Sequence, residues 1–293
     1  MTERIASPPS PESDSRCPPH RPGSVSAVSA LWVGLFAVAV VIASYAVFVR
    51  MMQGQRLDDL AGGTLARPWV ARGGMTTLLD VATIGSIALV LGICMITAVV
   101  GRRWVPAAGA LVLVVGAGAT SEALKHVVLT RPGLGWGTSN TLPSGHTTVI
   151  ASLVFAAVFL LPASARWLVR LVGSVELAAI GVGTVIAGWH HPSDVVAGLA
   201  VSLAWGAVVV AAISTVGVAE SSGRPRSHWV ATVAWLGLTV ACLVAVGVRA
   251  DQAFADRLVM TATISALTIV GAVAVGVFAR LVDAGVMSPS ADG

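Results

Sequence analysis

The sequence predicts an all-α, polytopic membrane bundle of about eight transmembrane helices. Three observations lead there. Hydrophobic residues make up 56% of the 293-residue chain and charged residues 11%, and the mean hydropathy is +0.85. A soluble domain carries about 25% charged residues, so much of this surface is built to face lipid. Apolar runs long enough to cross a hydrocarbon core of roughly 30 Å as helices recur along the chain. Charge, Gly and Pro collect in the short breaks between them.

Taken in order, residues 1–24 are rich in Pro, Ser and charge and have no apolar period. They read as a disordered tail, too polar for a signal peptide. Spans are expected at about 25–49, 76–100, 105–127, 146–163, 168–189, 194–218, 228–248 and 258–281. The first six form a core over 25–218. A linker at 219–227 leads to two additional helices within 228–283, and a tail closes the chain at 284–293. The one sizeable loop is 50–75, where Gln55-Arg56-Leu57-Asp58 has the makings of a lid. With the N-terminus cytoplasmic, ten basic residues fall on that side and eight on the other, which favours cytoplasmic N- and C-termini. Trp104, Trp136, Trp167, Trp189 and Trp229 fall at span ends, as an interfacial belt requires.

The net charge of +4 is scattered through short loops, with no basic run or aromatic–basic stripe that would suit nucleic acid. Three cysteines, Cys17, Cys94 and Cys242, are odd in number and widely spaced. They support neither a disulfide framework nor a zinc site.

Three polar clusters interrupt the apolar chain. Lys125 to Arg131-Pro132 closes the third span, Pro143-Ser144-Gly145-His146 opens the fourth, and His190-His191-Pro192-Ser193-Asp194 joins the fifth to the sixth. Two spans separate His146 from His190, and none separates Arg131 from His146, so all three clusters reach the same membrane face. Lys125, the sole lysine, and Arg131 suit phosphate oxygens, the latter through a bidentate fork. Ser144 and Gly145 stand where a helix begins, and helix N-termini offer free N–H groups to anions. Two histidines can divide the work of nucleophile and acid. Asp194, four residues after His190, can accept its other ring proton and fix its tautomer.

These clusters resemble the three signature motifs of the type 2 phosphatidic acid phosphatase superfamily, which includes bacterial undecaprenyl-diphosphate and phosphatidylglycerophosphate phosphatases. That pattern runs Lys-x6-Arg-Pro, Pro-Ser-Gly-His, then Ser-Arg-x5-His-x3-Asp. The resemblance covers about 28–218. It implies that His190 is a nucleophile forming a phosphohistidine, that His146 protonates the leaving group and that Asp194 orients His190. Lys125, Arg131, Ser144 and Gly145 would hold the phosphate, with no metal and no cofactor. The expected partner is an amphiphilic phosphate ester in the membrane: a polyprenyl diphosphate, phosphatidic acid, phosphatidylglycerophosphate or another prenyl-linked phosphate.

The chain departs from the pattern twice. Five residues, not six, separate Lys125 from Arg131, and Thr184 stands where the third motif carries Arg. Another arginine, one in the 50–75 loop for example, or His191 would have to replace that cation. The departures keep two alternatives open: a phosphotransferase on the same scaffold, and a non-catalytic lipid-phosphate binder or transporter.

Overall fold

Eight α-helices and no strand make up the described residues of the computed structural model, which are 22–66, 85, 89–90, 92–93, 96, 99–135, 138–162, 164–216, 229–247 and 252–286. The helices are α1 (Pro22–Ser44), α2 (Met52–Leu65), α3 (Trp104–Ala123), α4 (Gly145–Leu160), α5 (Arg166–Ile186), α6 (Pro192–Val216), α7 (Trp229–Gly247) and α8 (Phe254–Val286). Single π-helical turns, Tyr45–Val49 and Leu124–Val128, extend α1 and α3. Most of the expected tails, the 219–227 linker and most of the expected second span lie outside the described residues.

Among the described residues, five helical stretches are long and apolar enough to cross a membrane: Ala27–Val49, Trp104–Val128, Arg166–Ile186, Pro192–Thr215 and Phe254–Ala284. They answer to the expected first, third, fifth, sixth and eighth spans. The 50–75 loop contains a helix, α2, which buries Gln55 and Asp58.

Burial sorts the helices. On α1, Trp32 and Phe36 are exposed to the surroundings a membrane would fill, while Ala30 and Ala37 are buried. By contrast α4 is apolar on all sides and buries twelve of its sixteen residues, the pattern of a central helix. At 1.5 Å per residue it is about 24 Å long, shorter than the hydrocarbon core. Small residues let the others close around it: a Cβ on Gly116 would sit 2.7 Å from the Trp205 indole, and one on Gly206 2.6 Å from the Phe278 ring.

That last contact joins α8 to the same core. Phe278 is fully buried and stacks on Phe155 of α4, with ring centroids 4.6 Å apart. At the end of the bundle opposite the polar clusters, Asp283 of α8 pairs with Arg166 at 2.9 Å and Arg170 at 2.5 Å. Arg166 Nε and Arg103 also donate to the Val158 and Leu160 carbonyls that close α4. Basic side chains there satisfy carbonyls that a helix end leaves without partners.

Phe278→Ala is expected to destabilise the protein by about 3–5 kcal/mol, the usual loss for an aromatic removed from a packed core. Leu238→Ala, on the exposed face of α7, is expected to change little. Denaturant titration of both variants in detergent checks this.

Candidate active site

The polar clusters meet at one end of the bundle because four helix termini meet there. Helix α5 stops with a Schellman motif: the Gly188 amide donates to the Val185 carbonyl at 2.9 Å and the Trp189 amide to the Thr184 carbonyl at 3.1 Å. Gly188 takes φ +74°, which a residue without a Cβ adopts at no steric cost. The chain reverses and delivers Trp189, His190 and His191 before Pro192 opens α6, at the helix position where a missing N–H matters least.

The first turn of α6 then builds the centre of the site. Asp194, fully buried, lies three residues into the helix and reaches back so that its Oδ2 accepts the His191 amide at 2.9 Å, the reciprocal half of a capping box. The same oxygen lies 3.2 Å from His190 Nδ1. A carboxylate facing that nitrogen assigns the proton to Nδ1 and leaves the Nε2 lone pair to face outward.

Helix α4 begins beside α6. Its N-cap is Ser144, whose hydroxyl accepts the Thr147 amide, and whose own amide donates to the Asp194 carbonyl at 2.9 Å. Gly198 permits the approach, since a Cβ there would lie 2.8 Å from the Ser144 carbonyl oxygen. Ser144 is fully buried and acts as a cap, while Gly145 faces a cleft of about 330 Å³ lined also by Glu122, Lys125 and His146. A Cβ on Gly145 would lie 3.4 Å from Lys125 Nζ. His146 packs its ring on Trp189, centroids 5.5 Å apart. That contact sets the histidine beside the His190 segment and gives Trp189, read from the sequence as a belt residue, a place in the site.

Lys125 reaches the cleft from the π-helical turn that follows α3, despite the shortened spacing to Arg131. Glu122 lies one turn back, 3.9 Å from Lys125 Nζ and 3.2 Å from the exposed His126. Arg131 is buried, and its Nε and one terminal nitrogen have no hydrogen-bond acceptor. Such a guanidinium is a ready fork for an anion. Both flanking carbonyls are pinned, Thr130 by the hydroxyl of Tyr45 at 2.9 Å and Pro132 by Gln55 Nε2 at 3.2 Å. Asn140 ties the same segment to the approach of α4, donating to the carbonyls of Lys125 and Leu142.

Thr184 does not reach the site. It is buried within α5 and its hydroxyl donates back to the Gly181 carbonyl. Among the described arginines of the 50–75 loop, Arg50 and Arg56 are exposed, and Arg67 and Arg72 lie outside the described residues. His191 stands nearer the centre. Asp194 beside it holds its imidazole above the ordinary histidine value, against the burial that pulls it down, with Arg131 close enough to oppose the shift. That shift favours the protonated form of the ring next to His190.

From α2, Asp58 receives both the amide and the hydroxyl of Ser193, at 3.1 and 2.5 Å. The pattern of the motifs gave no signal for this contact, nor for Tyr45 and Asn140. Tyr45 is the only tyrosine in the chain, which is the one hint the composition offered.

With His190, Asp194, His146, Lys125, Arg131 and Gly145 gathered at one end, the pattern of the motifs has its spatial counterpart. The PAP2 superfamily model matches residues 24–217. The chain belongs to that superfamily. No curated protein and no solved structure matches it. Members are in general phosphatases acting on lipid phosphates, and the matched region ends within a residue of α6, before α7 and α8.

Gly198→Ala is expected to force α4 and α6 apart at Ser144, with a stability loss of about 1–3 kcal/mol, as for other overpacked positions. Loss of catalytic rate beyond the loss of folded protein, measured on the same samples, would locate the damage at the site.

Proposed function

We propose that the protein is a membrane lipid phosphatase that hydrolyses a lipid phosphate monoester or diphosphate through a phosphohistidine on His190. The observation that carries this reading is the His190–Asp194 pair: with Nδ1 turned to a buried carboxylate, Nε2 is the ring atom left to attack.

Nε2 of His190 attacks phosphorus as the bond to the lipid oxygen breaks, and His146 delivers a proton to that departing alkoxide or phosphate oxygen. Asp194 stabilises the positive charge that develops on the His190 ring. Water, deprotonated by His146, then attacks the phosphohistidine, releasing inorganic phosphate and restoring both histidines. Lys125, Arg131 and the amides at the start of α4 balance charge on the phosphoryl oxygens, the largest single contribution in most such reactions. These groups do the work a divalent ion would otherwise do.

A lipid is favoured by position. The site lies at the end of a membrane bundle. An apolar groove of about 380 Å³ is bounded by Val38, Ile42, Trp205 and Leu124, the last being the neighbour of Lys125 in the chain. The arginine count supports an extracytoplasmic site with both termini in the cytoplasm. A second reading, a non-catalytic lipid-phosphate binder or transporter, draws on Thr184, whose side chain brings no cation to the phosphate.

Purified protein in detergent is expected to release inorganic phosphate from a panel of prenyl diphosphates, phosphatidic acid and phosphatidylglycerophosphate, with EDTA present. His190→Ala is expected to abolish release, a loss of at least about 10³-fold for a nucleophile. Binding of lipid phosphate without release, equal in wild type and His190→Ala, would favour the second reading.

A further inference from the structure

Helix α6 carries Asp194 in its first turn, yet its N-cap residue is His191, whose side chain does not cap it. Ser, Thr, Asp or Asn ordinarily supplies an oxygen to the second or third amide of a helix. Here the second amide, that of Ser193, is taken by Asp58 Oδ1 at 3.1 Å, and the Ser193 hydroxyl by Asp58 Oδ2 at 2.5 Å. The capping oxygen therefore arrives from another helix, 135 residues earlier in the chain. Asp58 and Ser193 are both buried.

We propose that Asp58 is a positioning residue of the centre: it caps α6 from α2 and so holds Asp194 where it orients His190. The proposal rests on the phosphatase reading for its consequence in rate, though not for its consequence in geometry. The route is short. Ser193 and Asp194 are neighbours in one helical turn, and Asp194 Oδ2 takes both the His191 amide and His190 Nδ1. A shift of that turn moves the acceptor away from the ring it faces.

Four further contacts make α2 a strap over the site. Gln55 Nε2 donates to Val49 and Pro132 carbonyls at 2.7 and 3.2 Å. A Cβ on Gly62 would lie 3.6 Å from the Pro192 ring. Gln252, ahead of α8, donates to the Thr64 carbonyl near the end of α2, so the helix pair beyond the matched region helps to hold the strap.

The burial of the Asp58 carboxyl opposes its ionised form. Burial pushes its carboxyl up to about 6, against the Ser193 donors and His191, while Asp194 adds to the rise. A carboxyl raised in the folded state contributes stability that is fully present below its ordinary value of 3.8 and lost as pH rises through about 6. At neutral pH the charge is a burden, so removing it without removing the cap is expected to leave the melting temperature unchanged or higher.

The test uses the full chain in detergent with Asp58→Ala and Asp58→Asn. Asn caps helices as well as Asp. Asp58→Ala is expected to lower kcat for phosphate release about 10- to 100-fold, as loss of an orienting partner does elsewhere, with KM little changed. Asp58→Asn is expected to restore most of that loss. In ¹⁵N-histidine NMR, the hydrogen-bonded Nδ1–H of His190 is expected in wild type and Asp58→Asn and absent in Asp58→Ala. Wild-type kcat and His190 signals in Asp58→Ala would overturn the proposal. So would folded Asn and Ala variants equally impaired, since that outcome assigns Asp58 a role through its charge. If the wild type releases no phosphate at all, the phosphatase reading fails and the NMR comparison still decides the role of Asp58.

Discussion

One backbone hydrogen bond holds the candidate site together: the Ser144 amide to the Asp194 carbonyl, 2.9 Å. It ties the start of α4 to the start of α6, so two helix N-termini open side by side. Gly198 leaves the space in which they approach. Lys125 and Gly145 then share one cleft, and His146 comes against Trp189, next to His190 in the chain.

The surroundings make the arrangement demanding. A bundle this apolar offers little water to solvate charge, and buried polar groups without partners are costly. The site meets the demand by pairing most groups. Asp194 takes a histidine ring and an amide, Asp58 takes Ser193 twice, and Tyr45, Gln55 and Asn140 pin the carbonyls of the chain around Arg131. Arg131 is a buried cation whose guanidinium is left with N–H groups to give. The supporting contacts come from α1, α2 and the segment before α8, so the candidate site rests on most of the bundle.

Much of this was legible in the sequence because lipid and phosphate both impose strict patterns. A membrane span needs about twenty apolar residues, and the expected spans at 105–127, 168–189 and 194–218 lie within a few residues of α3, α5 and α6. Topology then required Arg131, His146 and His190 to share a face. What the sequence withheld depends on side chains meeting across long separations. Asp58 reaches Ser193, Tyr45 reaches Thr130 and Phe278 reaches Phe155, and no local periodicity encodes such pairs. The 50–75 loop hid a helix because α2 is only weakly apolar, its identity fixed by where Gln55 and Asp58 are buried. Thr184 raised a question about the third motif that the structure sharpens: its hydroxyl bonds within its own helix, and His191 is a basic side chain that stands beside Asp194.

The most direct measurement is a rapid acid-free quench of enzyme turning over a ³²P-labelled lipid phosphate, followed by mapping of the protein-bound label. The account predicts a label stable to alkali and labile to acid, the behaviour of a phosphoramidate, on the peptide that contains His190. Turnover with the label on another residue, or with no protein-bound label under conditions that trap the intermediate, would contradict it.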